Sequence, residues 1–151
     1  MKELLQIITA FLGTLGFTVV FRSKKQHIFQ IAFGGALSWI AYLVCNLFVS
    51  SESVCYFVAS AVVGIYSEIF ARILKTPTTN IFAVAVLPLI PGGSLYYTVR
   101  YAVNGDWDNF FIKGDSTFKI ALAIALGIIS VQAVFKIIIN LKSKYILQKT
   151  K

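Results

Sequence analysis

The sequence predicts an all-α integral membrane protein with five transmembrane helices. Of its 151 residues, 58% are hydrophobic and only 13% are charged, whereas an ordinary soluble domain has roughly 25% charged residues. The mean hydropathy is +0.79. Long uncharged stretches alternate with short charged connections, and each stretch approaches the roughly 20 residues that a helix needs to cross a bilayer. We therefore predict a single transmembrane domain over residues 1–151, without a separate soluble module.

The predicted spans follow the uncharged stretches along the chain. They cover residues 4–21, 28–49, 54–74, 78–97 and 120–141. The first stretch has the length of a secretory signal, but Arg22 follows it directly and no small-x-small cleavage site comes after it, so we interpret it as a retained helix. Several glycines are available for close helix contact, namely Gly13, Gly16, Gly34, Gly35 and Gly64.

The distribution of charge predicts how the spans are oriented. Nine of the fourteen Lys and Arg residues lie in the first connection, the third connection and the C-terminal tail. The N-terminus and the other two connections carry three, together with five of the six acidic residues. Because positive charge is enriched on the cytoplasmic side, we predict the N-terminus outside and the C-terminus inside. The net charge of +8 is thus interpreted as topology-setting charge at the lipid bilayer, in preference to a nucleic-acid or specific anionic-lipid site.

The fourth span differs from the others because it contains a break, Pro88-Leu89-Ile90-Pro91-Gly92-Gly93. At about 1.5 Å per residue from Pro77, Pro88 lies roughly 16 Å into a hydrocarbon core about 30 Å thick. Prolines remove backbone donors and interrupt the helix at this depth. Irregular backbone is tolerated there only if protein buries it or if it lines a polar cavity, and broken helices of this kind bind substrates in transporters.

A second helical piece starting near Gly92 would present free amides and a positive dipole end to a carboxylate. The candidate substrate-binding residues are Pro88, Pro91, Gly92, Gly93, Ser94 and Tyr96. The alternative is a proline kink that only shapes a packing surface. The clustering of two prolines, two glycines and a serine favours a binding site, because a kink needs less disruption.

The residues Arg72 and Pro77, followed by Pro88 to Gly93 and Tyr96, resemble the signature of the threonine/serine exporter family in its small five-helix membrane subunit. The similarity extends to the basic first connection, the Gly-rich second helix and the basic tail. In that family the small subunit corresponds to the C-terminal half of longer exporters. The resemblance implies a second membrane subunit as partner, export of threonine, serine or a small carboxylate such as succinate, and location in the prokaryotic inner membrane, the plasma membrane of the cell.

Glu68 is the only acidic residue within a predicted span, and Arg72 follows it four residues later. An intramembrane carboxylate suggests a functional role in coupling or gating. The spacing equally favours a structural ion pair on one helix face. Both interpretations stay open.

Enzymatic chemistry has little support in the sequence. The single His27 lies in a basic connection, and no Ser, His and Asp set gathers at one depth, so we predict no enzyme, no metal site and no cofactor. Cys45 and Cys55 lie near the outer ends of two spans, where either a disulfide or two packed small side chains would fit. Two functions remain: a transporter subunit, with a homo-oligomer left open, and a structural or accessory membrane protein.

Overall fold

Apolar stretches form helices in a membrane because the backbone must satisfy its own hydrogen bonds there. The computed structural model describes residues 1–22 and 25–149, and every regular element in those ranges is helical. The helices are α1 (Lys2–Val20), α2 (Ile28–Phe48), α3 (Glu52–Ile73), α4 (Thr78–Ala85), α5 (Gly92–Val103) and α6 (Trp107–Lys149). Short 3₁₀ turns cover Lys25–His27 and Leu87–Leu89. The predicted all-α class is confirmed.

Four of the helices, α1, α2, α3 and part of α6, are long and apolar enough to cross a membrane. The segment Thr78–Leu89 and helix α5 form a pair bent by 61°, which gives a fifth span if the pair is counted as one. The predicted interruption of the fourth span is therefore present in the fold. It takes the form of two helices with different directions, joined at Ile90 and Pro91.

The stretch between the fourth and fifth predicted spans, residues 98–119, is mostly helical. Helix α5 continues to Val103, and α6 begins at Trp107 and runs for 43 residues. At about 1.5 Å per residue α6 is roughly 64 Å long, about twice the hydrocarbon thickness, and the predicted span 120–141 is only its later part. Within α6, Nζ of Lys119 donates to Oδ2 of Asp115 at 2.5 Å, and the helix packs against α5 where Thr117 meets Thr98.

Glycines bring helices close together at three crossings. A Cβ atom at Gly34 would lie 2.8 Å from Cε1 of Tyr66, and one at Gly64 would lie 3.3 Å from the Val131 side chain. A Cβ atom at Gly35 would likewise overlap the side chain of Thr14. These three predictions of close contact are confirmed. A further contact, absent from the prediction, lies at Gly127 of α6, where a Cβ would lie 2.6 Å from the Phe57 carbonyl oxygen.

The buried core holds the broken span in place. Ala85 and Leu89 pack with α3 and α6 residues in one cluster, whose other members are Tyr56, Ala59, Val63, Ile120 and Ala123. Nearer the start of α4, Ile81 and Val84 pack in a second cluster with Ile31, Tyr66 and Ala71. Leu89 has 0% of its surface exposed. The inward side of the break is thus fixed by apolar packing.

Cys45 and Cys55 are both free thiols. Cys55 is fully buried, and its Sγ donates to the Val49 carbonyl oxygen at 3.6 Å. This arrangement agrees with two packed small side chains and not with a disulfide.

Candidate functional site in the broken fourth span

The break begins where α4 ends at Ala85 and the chain tightens into the 3₁₀ turn that contains Pro88. Ile90 then adopts extended backbone angles (φ −63°, ψ 123°), and Pro91 precedes the first residue of α5, Gly92. Proline suits both places because it cannot donate a backbone hydrogen bond and its φ is fixed. The predicted second helical piece therefore starts at Gly92.

The first turn of α5 has two unused amides. The Gly92 N–H donates to the Ile90 carbonyl oxygen at 2.7 Å, and the Leu95 N–H donates to the Pro91 carbonyl oxygen at 2.9 Å. Within the described part of the chain, no acceptor binds the N–H groups of Gly93 and Ser94, and no side chain caps this helix. Two of the three amides predicted for a carboxylate are free, and the third is occupied by Ile90.

The start of α5 lies at the open surface of the described chain. Gly92 and Gly93 are exposed, and a Cβ atom at either would meet nothing within 4 Å. Tyr96, one turn later, is 63% exposed and packs edge-on against Tyr97 with 5.4 Å between the ring centroids. The start of α5 is therefore open on one side within the described chain.

Ser94 is tied to the helix pair α5 and α6 rather than to the break. Its carbonyl oxygen accepts a hydrogen bond from Oγ1 of Thr98 at 2.8 Å, and Oγ1 of Thr98 in turn lies 3.2 Å from Oγ1 of Thr117. Thr98 is buried between the two helices. The α6 helix thus positions the first turn of α5 through this threonine pair.

Pro88 faces a different surface, a groove shared with α1 and α2. One part of the groove has a volume of about 140 Å³ and is lined by Thr9, Ala10, Gly13, Thr14, Phe17, Leu87 and Pro88. A neighbouring part, about 270 Å³, adds Gln6 and Trp39. The Trp39 Nε1–H donates to Oε1 of Gln6 at 3.4 Å. These polar residues were not predicted as site residues, although Gln6, Thr9 and Gly13 are spaced along one face of α1.

Gly13 and Gly16 make no close helix contact within the described part of the chain, so the contact expected at these two positions is not found there. A Cβ atom at either position would meet nothing within 4 Å. The pattern of small residues is present on α1, but the described helices pack elsewhere, and this part of α1 is open like the start of α5.

Glu68 and Arg72 form an ion pair, with Nη2 of Arg72 donating to Oε2 of Glu68 at 3.1 Å. The Glu68 side chain is 15% exposed and that of Arg72 is 50% exposed. The Arg72 guanidinium lies 5.6 Å from the centroid of the Phe135 ring of α6. The pair thus packs towards α6, whereas Pro88 faces α1, and the structure does not bring the predicted coupling residues to the Pro88 groove.

A bundle of apolar helices that includes one bent pair is typical of a multi-pass membrane protein. The family model described as "Threonine/Serine exporter, ThrE" matches residues 6–134, which include the entire break. The chain belongs to this family and is a membrane component of the threonine/serine exporter type, a class of transporters rather than enzymes. No curated protein and no solved structure matches the chain.

Proposed function

We propose that this chain is one membrane subunit of a secondary transporter that exports threonine, serine or a small carboxylate such as succinate. It acts with a second membrane subunit of the same family in the plasma membrane. The observation that carries the proposal is the open first turn of α5, where the N–H groups of Gly93 and Ser94 have no acceptor among the described residues. A second chain is needed to enclose a substrate there.

The chemistry of this turn suits a carboxylate. The N–H groups of Gly93 and Ser94 point out of a helix N-terminus, where the helix dipole stabilises negative charge. A hydrogen bond from a backbone amide to a carboxylate is roughly twice as strong as a neutral one. Amino acids and succinate share the carboxylate, so this chain binds the common group and the partner recognises the rest of the substrate. The neighbouring proposed binding residues are Pro91, Gly92 and Tyr96, and the last proposed residue, Pro88, lines the separate groove with α1.

The orientation proposed for the chain places its N-terminus outside and its C-terminus inside, as the charge distribution favours. Helix α4 then starts at the cytoplasmic surface, and α5 leaves the break towards the outer surface. In this proposal the carboxylate-binding turn lies between the two compartments, and the 61° bend between the two helical pieces supports a broken span. This position is the one that alternating access requires of a substrate site.

Glu68 and Arg72 are proposed as the coupling or gating pair. Their ion pair lies in the third span, and neutralising Glu68 with a proton would release Arg72. If the release of Arg72 is coupled to movement of the substrate, a proton gradient drives export. The structural ion pair is the competing role, and the pH dependence of transport separates the two.

The direct test is efflux of labelled threonine, serine and succinate from cells that express the chain with its family partner, the partner alone or the chain alone. We expect efflux only when both subunits are present. Efflux that is absent from every combination would favour the structural or accessory role. Efflux from the partner alone, unchanged by this chain, would also contradict the proposal.

A further inference from the structure

A second recess lies at the opposite end of the broken span from α5. It is a cavity of about 370 Å³ between the end of α1, the start of α2 and the connection from α3 to α4. Its polar lining consists of Arg22, His27, Lys75, Thr76, Thr79 and Asn80. Its base contains Ile31 and Ile81, which are 2% and 1% exposed. The volume lies within the range of about 300–1,000 Å³ that is typical of small-molecule sites.

The charge of this cavity has one sign. Arg22 and Lys75 contribute two cations, and none of the described residues that line the cavity is acidic. Charges of one sign in a recess with apolar walls concentrate the potential and attract a counter-ion. The ammonium group of a neutral zwitterion would find no carboxylate among the described residues that line this cavity. The cavity therefore favours a ligand with net negative charge.

Both cations are held in an unusual backbone conformation. Arg22 has φ 51° and Lys75 has φ 49°, the only positive values among the described non-glycine residues. Each residue follows the end of a helix, a place where glycine is the usual residue because it adopts this conformation without strain. Long basic side chains occupy both positions instead. Strain retained at two residues of one cavity is typical of a functional site.

Several polar groups of the cavity have no partner among the described residues. There, Nδ1 of His27 and Oγ1 of Thr76 are buried without a hydrogen bond. The N–H group of Thr79, a lining residue in the first turn of α4, has no acceptor in the same part of the chain. Buried polar groups are nearly always hydrogen-bonded in native proteins. An oxyanion in this cavity would accept from the Thr79 amide, from the Thr76 hydroxyl and from the two cations.

We infer that this cavity binds a phosphate-class oxyanion, supplied either by the headgroup of an anionic phospholipid or by a free phosphate. The sequence alone favours topology-setting charge, because the basic residues lie in two separate connections. The fold brings Arg22 and Lys75 to one recess with unpartnered donors. This inference does not depend on transport, so it is tested separately from the proposed function.

The test compares the full chain with a variant that removes both cations, Arg22→Asn with Lys75→Asn. Asparagine tolerates the left-handed conformation, so the backbone is preserved. The matched control, Arg100→Asn with Lys113→Asn, makes the same charge change at two exposed residues of α5 and α6. Circular dichroism and elution volume establish that each protein is folded.

Two arms identify the source of the anion. In the first, nanodiscs of mixed phosphatidylglycerol and phosphatidylcholine are used, and native mass spectrometry measures which lipid stays bound. In the second, calorimetry measures binding of inorganic phosphate in a neutral detergent. We expect the double cavity variant to lose at least ten-fold in affinity and the control to keep the wild-type value. Binding in the first arm alone identifies the lipid headgroup, and binding in both identifies a site open to free phosphate.

A single variant, Thr76→Val, removes one buried donor and keeps the size and charge of the site. We expect three- to ten-fold weaker anion binding from it. This variant decides the question if the double variant does not fold. The inference is overturned if the wild-type protein binds neither probe, if the cavity variants bind as well as the wild type, or if the control loses as much affinity.

Discussion

Gly92→Leu tests whether the first turn of α5 holds the substrate. A Cβ at Gly92 would meet no atom of the described chain within 4 Å, so the larger side chain has room in the isolated subunit. Helix side chains lean towards the N-terminus, and a leucine here would therefore cover the amides of Gly93 and Ser94. Leucine also has a better helix propensity than glycine, by up to about 1 kcal/mol. We expect the variant to insert and fold normally.

The expected loss of export follows from the two free amides. Each hydrogen bond to a charged group contributes about 1.5–3 kcal/mol, so excluding the carboxylate from both removes at least about 3 kcal/mol. At about 1.4 kcal/mol per factor of ten, binding weakens by roughly 100-fold or more. Gly92→Ala is the matched control. Its methyl group is too short to cover the amides, so we expect this variant to retain export.

The assay is efflux of labelled substrate from cells that express both subunits, normalised to the amount of each variant in the membrane fraction. Export by Gly92→Leu at the wild-type rate, with equal protein levels, would refute the carboxylate site in this turn. Equal loss in Gly92→Leu and Gly92→Ala would indicate that the backbone, and not access to the amides, limits transport.

Three further predictions concern stability, coupling and orientation. Gly34→Ala should lower the free energy of unfolding in detergent by about 1–3 kcal/mol, because its Cβ would lie 2.8 Å from the Tyr66 ring. That ring cannot move away easily, since the Tyr66 hydroxyl donates a 2.6 Å hydrogen bond to the Gln30 carbonyl oxygen. Unchanged stability would contradict this packing. Glu68→Gln should flatten the pH dependence of efflux if protons drive export, whereas an unaltered pH profile would leave only the structural ion pair. A fluorescent reporter at the C-terminus should be active in the cytoplasm, and a reporter active only outside would reverse the proposed orientation.

Much of the fold was predictable because hydrocarbon allows few backbone arrangements. The uncharged stretches predicted α1, α2 and α3 to within a few residues, and the Pro88 to Gly93 segment predicted the break. The ends of α5 and α6 were not predictable, since residues 98–119 mix charged and apolar residues and their helical state depends on contacts such as Thr98 with Thr117. Hydropathy reports where a chain can cross a membrane and not where a helix must stop.

The candidate site was also predictable only in part from the sequence. The sequence alone predicted two helical pieces with free amides at the second, because proline and glycine act on the local backbone. It predicted the Glu68 and Arg72 pair because four residues make one helical turn. These features depend on residues that are close together in the sequence.

Only the tertiary structure decided which way each feature faces. It placed Pro88 in a groove with α1, the α5 amides at an open surface, and Arg22 beside Lys75 in one cavity although 53 positions separate them in the sequence. It also showed that Gly13 and Gly16 pack against no other helix of the described chain. The direction a residue faces depends on which helices pack together, and helix packing is set by side-chain shape over long sequence separations.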